Sequence, residues 1–192
     1  GYSEHFHPLP EISSIIHKYI NNDDYIFFLG NTDPKKNVAR TLKAYSLYLK
    51  HSEKKRPLLI ADLSEDKLDA ILREQRIEEI KPFPNTDLAY LYNGAFAFLY
   101  TSLRESFGIP LLEAMACGTP VITGNTSAMP EIAGEGGILV DPLSEKEIAD
   151  KILYLERDQI FYQNQIEYGL NRVKRFSWSQ TAENLLTLYK TI

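Results

Sequence analysis

Short apolar runs alternate along this chain with segments of helical periodicity, and that alternation limits the fold more than any other feature. Tyr25–Leu29 ends at Gly30 and reads as a buried strand. The turn residues Asn31–Asn37 follow, and then Val38, Leu42, Tyr45, Leu47 and Leu49 recur at near-helical spacing. Pro57–Ala61 reads as a second strand ahead of a charged helix over Ser64–Arg76, and a third short strand is expected near Ile80–Phe83. A short helix over Thr86–Tyr92 leads to a fourth strand, Ala95–Leu99. Thr119–Thr123 and Gly137–Val140 read as the last two strands, with a helical turn at Met129–Ala133 between them. From Ser144 onward the pattern is helical. Ile148, Ile152 and Leu155 share one face there, and Trp178, Ala182, Leu185 and Tyr189 another, with Trp178 placed to anchor the last helix against the sheet or against another domain. Apolar strands separated by helices belong to a parallel sheet covered on both faces. A three-layer α/β domain with about six parallel strands and C-terminal helices is therefore expected. Ligands of such sheets bind beyond the carboxyl ends of the strands.

Composition narrows the class further. A chain of 192 residues that is 44% hydrophobic and 24% charged can bury an ordinary core, which excludes disorder and collagen. A net charge of −5 lacks the basic footprint of a nucleic-acid binder. No run approaches the ~20 apolar residues of a membrane span. The start, Gly1–Pro8, has none of the parts of a secretory signal and reads as an interdomain linker remnant over 1–10, with the domain itself over 11–192. A single cysteine, Cys117, cannot form an internal disulfide and fits a reducing, cytoplasmic setting.

Chemistry concentrates in Thr101–Gly118. Pro110 suits the first turn of a helix and Gly118 its left-handed stop. Leu111, Leu112, Ala114, Met115, Ala116 and Cys117 make that helix apolar all round, yet Glu113 sits inside it. A buried carboxylate must be paired, protonated or facing a wet cleft. Glu105 lies in the loop feeding the same helix, beside Ser106 and Gly108. Free N–H groups and the positive end of the helix dipole make such a start an anion site, here with a carboxylate on either side.

These residues carry a resemblance. Glu105-Ser-Phe-Gly-Ile-Pro-Leu-Leu-Glu113 resembles the Glu-x7-Glu motif of retaining nucleotide-sugar glycosyltransferases of the GT-B fold, family 4. The likeness continues through Ala114–Ile122, Ser127–Gly134 and Val140–Pro142. Upstream, Gly30-Asn-Thr-Asp-Pro-Lys-Lys-Asn37 resembles the family's glycine-basic loop, and Leu91–Ala95 and Phe176–Trp178 sit where the family has similar residues. The resemblance covers the donor-binding, C-terminal half of a two-domain enzyme and implies a Rossmann-like domain. It implies that Glu113 holds the ribose hydroxyls and that Glu105 contacts the transferred sugar, as nucleophile or as stabiliser. Main-chain N–H groups of Phe107, Gly108 and Ile109 would hold the diphosphate, with Lys36 neutralising it and Asn31 in the same loop. Lys81 falls in the segment lining the base. Asn31 stands where the family often has Arg, so Lys35 or Arg104 is left to supply that charge, and Pro84 stands where Gly is common.

The implied donor is a GDP- or UDP-linked sugar, and the implied transfer is mannosyl or glucosyl. The acceptor would be a saccharide or lipid-linked acceptor, held by an N-terminal domain outside the chain at the inner face of a membrane. No metal or other cofactor is implied. Two rival readings use the same fold: a non-catalytic nucleotide- or partner-binding module, which loss of the Glu pair would favour, and a sugar-phosphate enzyme such as an epimerase, which needs a further titrating group. The remaining polar residues read as structural. His5 and His7 suit a linker surface, His17, His51 and Lys54-Lys-Arg56 solvated helix ends, and Cys117 a buried thiol.

Overall fold

The computed structural model describes residues 1–30, 33–61, 77–80 and 83–191. Six strands form one parallel sheet: β1 (Tyr25–Leu29), β2 (Leu58–Ala61), β3 (Ile77–Ile80), β4 (Ala95–Tyr100), β5 (Val121–Gly124) and β6 (Gly137–Val140). Their order is β3-β2-β1-β4-β5-β6. Phe27 of β1 lies opposite Leu59 on one side and Phe98 on the other. The strands wind outward in both directions from the β1–β4 junction. That reversal opens a crevice at their carboxyl ends.

Alternation along each strand feeds two cores. Tyr25, Phe27, Phe98 and Tyr100 face one way, toward helices α1 (Ser13–Ile16), α3 (Asn85–Gly94), α4 (Ile109–Ala116) and α5 (Met129–Ala133). Ile26, Phe28, Ala97 and Leu99 face the other way, toward α2 (Val38–His51) and α6 (Glu145–Arg157). Helix α7 (Gln159–Val173) lies over α4, close enough that a Cβ on Gly169 would come within 3.3 Å of the Met115 side chain.

Four expectations are corrected. The third strand spans Ile77–Ile80, and residues 81 and 82 of the expected segment lie outside the described residues. Its register, Leu58 to Ile77 through Ala61 to Ile80, runs the whole length of β2. The fifth strand begins at Val121 because Pro120 brings only a carbonyl, which accepts from Phe98 N. Arg56 is not a solvated helix end. It lies 3.7 Å from the Phe96 ring and bridges Glu156 at 2.7 Å and Asp24 at 2.5 Å, while the Tyr48 and Ser52 hydroxyls donate to Glu156.

The fourth concerns α8 (Trp178–Lys190), which is capped by the Ser177 side chain and buries no residue, so of the two anchors open to Trp178 the sheet is not the one used. Both faces of the sheet are already covered by the other helices, so α8 finds no sheet surface to anchor on. The first ten residues, read as a connector, lie along α3: Phe6 enters the core, and Asn93 binds the backbone of His7 and Leu9. The expected helix over 64–76 lies outside the described residues. Among the described residues no helix is long and apolar enough to cross a membrane.

Candidate active site

Three loops meet above the β1–β4 crevice, and Asn37 ties them. It takes a left-handed conformation (φ 59°) that Asn tolerates better than most residues. Its buried amide donates to Thr101 O after β4 (3.0 Å) and to Pro142 O after β6 (2.7 Å). The Thr41 and Thr101 hydroxyls meet at 2.6 Å beneath it, and Leu103 N donates to Lys35 O. On the far side Ser127 Oγ donates to Glu105 O, and Glu105 N donates back to Ser127 Oγ.

That scaffold brings Lys36 and Glu105 together. Lys36 Nζ lies 2.7 Å from Glu105 Oε1, with both side chains largely shielded from solvent. The same ammonium is 3.4 Å from the Tyr100 hydroxyl and sits over the Tyr100 ring. Burial pushes the Glu105 carboxyl up. Hydrogen bonds from Lys36, Ser102 and Tyr100, together with the Lys36 charge, outweigh that and hold it below its ordinary range. Burial and the neighbouring Glu105 charge raise the Tyr100 hydroxyl, keeping it a neutral donor.

The helix start behaves as Pro110 and Gly108 predict. Gly108 takes φ 96°, a conformation that disfavours other residues, and passes the chain into α4. The N–H groups of Phe107, Gly108 and Ile109 find no acceptor among the described residues. Glu113 follows in the second turn, half-buried. It accepts from the Tyr92 hydroxyl at 3.3 Å and lines a cavity of about 400 Å³ with Asn85, Thr86 and Leu88. Burial raises its pKa, and the Tyr92 hydrogen bond only partly offsets this.

Of the residues singled out from sequence, Lys36, Glu105, Phe107, Gly108, Ile109 and Glu113 fall on one edge of the sheet; Asn31 and Lys81 lie outside the described residues. Arg104 is exposed, and Lys35 Nζ pairs with Asp33 at 3.2 Å. Sequence reasoning missed Asn37, Tyr92, Tyr100 and Ser127. The one signal for Asn37 was its place in a polar turn, while Tyr92 and Tyr100 suit core and cleft-lining packing, with no role for their hydroxyls legible. Cys117 is buried as expected. Its environment raises the thiol to about 12, through burial first and then the Glu113 charge. His5 binds Thr86 O and His7 binds Glu4 O, and among the described residues no metal-ligand cluster forms.

The family description "Glycosyl transferases group 1" matches residues 13–172. O-antigen chain mannosyltransferase B of Escherichia coli is 32% identical over 175 residues, covering 88% of this chain and 46% of that protein. This chain thus spans about half the length of that relative. The crystal structure of the C-terminal domain of a glycosyl transferase group 1 family protein, LpcC, from Francisella tularensis superposes with a TM-score of 0.77 at 23% identity. It covers 91% of this chain and 97% of that domain. HepE of Anabaena, in complex with UDP and glucose, gives 0.78 at 17% identity over 98% of this chain and 54% of that one. The chain belongs to the glycosyl transferases group 1 family.

Proposed function

We propose that this chain is the donor-binding half of a retaining glycosyltransferase that takes a mannosyl or glucosyl group from a GDP- or UDP-linked sugar. The observation that carries the reading is the Lys36–Glu105 contact beside three unpaired helix-start N–H groups, with Glu113 in the next turn. The diphosphate lies on the N–H groups of Phe107, Gly108 and Ile109, where the helix dipole favours it. Lys36 stands close enough to meet its charge as the sugar bond breaks, so the leaving group is stabilised by groups already in place. Glu113 accepts from ribose hydroxyls across the cavity it lines.

Glu105 works as stabiliser instead of nucleophile. A carboxylate already holding Lys36, Ser102 and Tyr100 has its charge spread over three donors, which suits it to orient a sugar hydroxyl and face a developing positive centre. Asn31 and Lys81 belong to this reading as diphosphate-loop and base-lining residues, and residues 1–10 as the connector to an acceptor-binding domain. The acceptor is a saccharide or lipid-linked saccharide, met in the cytoplasm at the inner face of the membrane. The reading requires no metal.

Calorimetry tests this directly. UDP or GDP should bind the chain more tightly than the matching nucleoside, and Lys36→Ala should remove most of the difference. Equal losses for nucleoside and diphosphate would put Lys36 outside the phosphate site. Sugar transfer should be absent from the 192-residue chain and present when it is joined to the residues that precede it in its natural protein. Robust Glu105-dependent transfer by the chain alone would sink the half-enzyme reading.

A further inference from the structure

One exposed serine stands in a backbone conformation that serine disfavours. Among the described residues Asn37, Lys55 and Ser127 are the non-glycine residues with positive φ, and two of the three flank the Lys36–Glu105 contact. Asn37 directly follows Lys36. Ser127 (φ 58°) lies in the loop between β5 and α5 and reaches across to Glu105. A left-handed residue other than glycine persists where its surroundings over-determine it, and such residues gather at functional sites. Here Asn125 N donates to Val140 O at 2.8 Å and Thr126 Oγ1 to Leu103 O at 3.2 Å, which fixes the chain ahead of Ser127. Met129 is fully buried behind it, and Arg172 of α7 donates to Ile132 O at 3.0 Å, which fixes α5.

What this conformation secures is the main chain of Glu105. The loop between β4 and α4 is held from both sides by its neighbours. Asn37 and Lys35 hold it at Thr101 and Leu103, and Thr126 and Ser127 hold it at Leu103 and Glu105. The single Ser127 hydroxyl serves both main-chain polar groups of Glu105, donating to the carbonyl at 2.6 Å and accepting from the N–H at 3.2 Å. Among the described residues those two groups have no other partner. A carboxylate that must meet one particular hydroxyl needs a fixed backbone, since a misplacement of about 1 Å can cost about a hundredfold in rate. We propose that Ser127 is a positioning residue: its hydroxyl fixes the Glu105 main chain so that the carboxylate stands against Lys36 and faces the sugar of the donor. The part played by the sugar rests on the donor reading above; the hold on Glu105 rests on the two hydrogen bonds.

The test uses Ser127→Gly in the 192-residue chain, which removes the hydroxyl and leaves the left-handed backbone accessible. Nuclear magnetic resonance of the labelled Glu105 carboxyl carbon follows its acid titration. The titratable and charged groups facing that carboxyl are Lys36 and Tyr100. In the wild type burial pushes the carboxyl up, and Lys36, Ser102 and Tyr100 together hold it below 4.5. In Ser127→Gly the midpoint should rise toward 4.5, because a released loop weakens both influences. An unmoved midpoint in a folded variant overturns the proposal. Calorimetry then compares GDP with GDP-mannose and UDP with UDP-glucose. The ratio of dissociation constants, nucleotide sugar over nucleoside diphosphate, should rise about tenfold in the variant, the scale of one hydrogen bond to a charged group. An unchanged ratio in a variant that binds these ligands overturns the role toward the sugar. A midpoint that moves in a chain that binds no nucleotide keeps Ser127 as the anchor of Glu105 and overturns the donor reading instead. Hydrogen exchange on the wild type covers a variant that does not fold. The Glu105 amide should exchange more slowly than the unpaired Phe107 amide, and equal rates overturn the proposal.

Discussion

Glu105 and Glu113 stand on either side of the α4 start, and their surroundings push them in opposite directions. Glu105 is held below its ordinary value of 4.5, so the stability it contributes is present above that value and is lost as pH falls through its lower folded one. Glu113 is raised, so its ionised form costs stability above its folded value and protonation relieves the cost. Glu113→Gln should therefore raise the melting temperature of the ligand-free chain near neutral pH. A relief of about 1 kcal/mol corresponds to about 2–4 °C in a domain of this size. The gain should shrink as pH falls through the raised folded value of Glu113, below which the wild-type carboxyl is itself protonated. The same variant should bind UDP or GDP more weakly, by about 1–3 kcal/mol, the scale of a hydrogen bond to a charged group. Thermal unfolding at two pH values and one titration check all of this. A Gln variant less stable at neutral pH would mean that Glu113 holds the fold together. Both carboxylates were visible in the sequence because each breaks a pattern, one inside an apolar helix and one beside its glycine entry. Tyr92 and Tyr100 were legible as core and cleft-lining packing but not for their hydroxyls, since a buried aromatic looks the same whether or not its hydroxyl serves a site.

At the scale of elements, the site depends on three loops held in register. The helix start was legible because Pro110 and Gly108 dictate it through backbone geometry alone. Asn37 was not legible, because its two carbonyl partners come from loops that only the folded sheet brings near. The start of β5 at Val121 was set by Pro120, whose effect depends on which neighbour the strand pairs with. Asn37→Gly keeps the left-handed backbone and removes both bonds, whereas Asn37→Ala also forces a side chain into that conformation. Both should destabilise the chain. The Ala variant should lose about 1–2 kcal/mol more than the Gly variant. Denaturant unfolding of the two variants separates the contributions, and equal losses would show that backbone strain is negligible there. Both should also weaken diphosphate binding, since Lys36 directly precedes Asn37.

For the whole molecule, the alternating sequence pattern foretold the sheet and both of its covered faces, but not the fate of α8. Amphipathic spacing says that a face can be buried and leaves open whether any surface remains to bury it. Here both faces of the sheet were already taken by earlier helices. The strand order has a consequence for how the molecule comes to be. Lys36 follows β1 and Glu105 follows β4, and their contact spans 69 positions along the chain. Neither half of the sheet owns the site, so no early, locally folded intermediate has it. Loop closure and long-range parallel pairing are slow relative to helix formation. In a refolding experiment the far-ultraviolet helix signal should return first, and capture of a fluorescent nucleoside diphosphate only with the slowest native phase. Capture in step with the early signal would show that one half suffices. On the proposed donor reading only the completed sheet binds the nucleotide, which then acts as a clamp across the central seam. It biases the ensemble toward the finished molecule by an amount set by its concentration over its dissociation constant, so donor supply in the cell becomes a term in the protein's persistence.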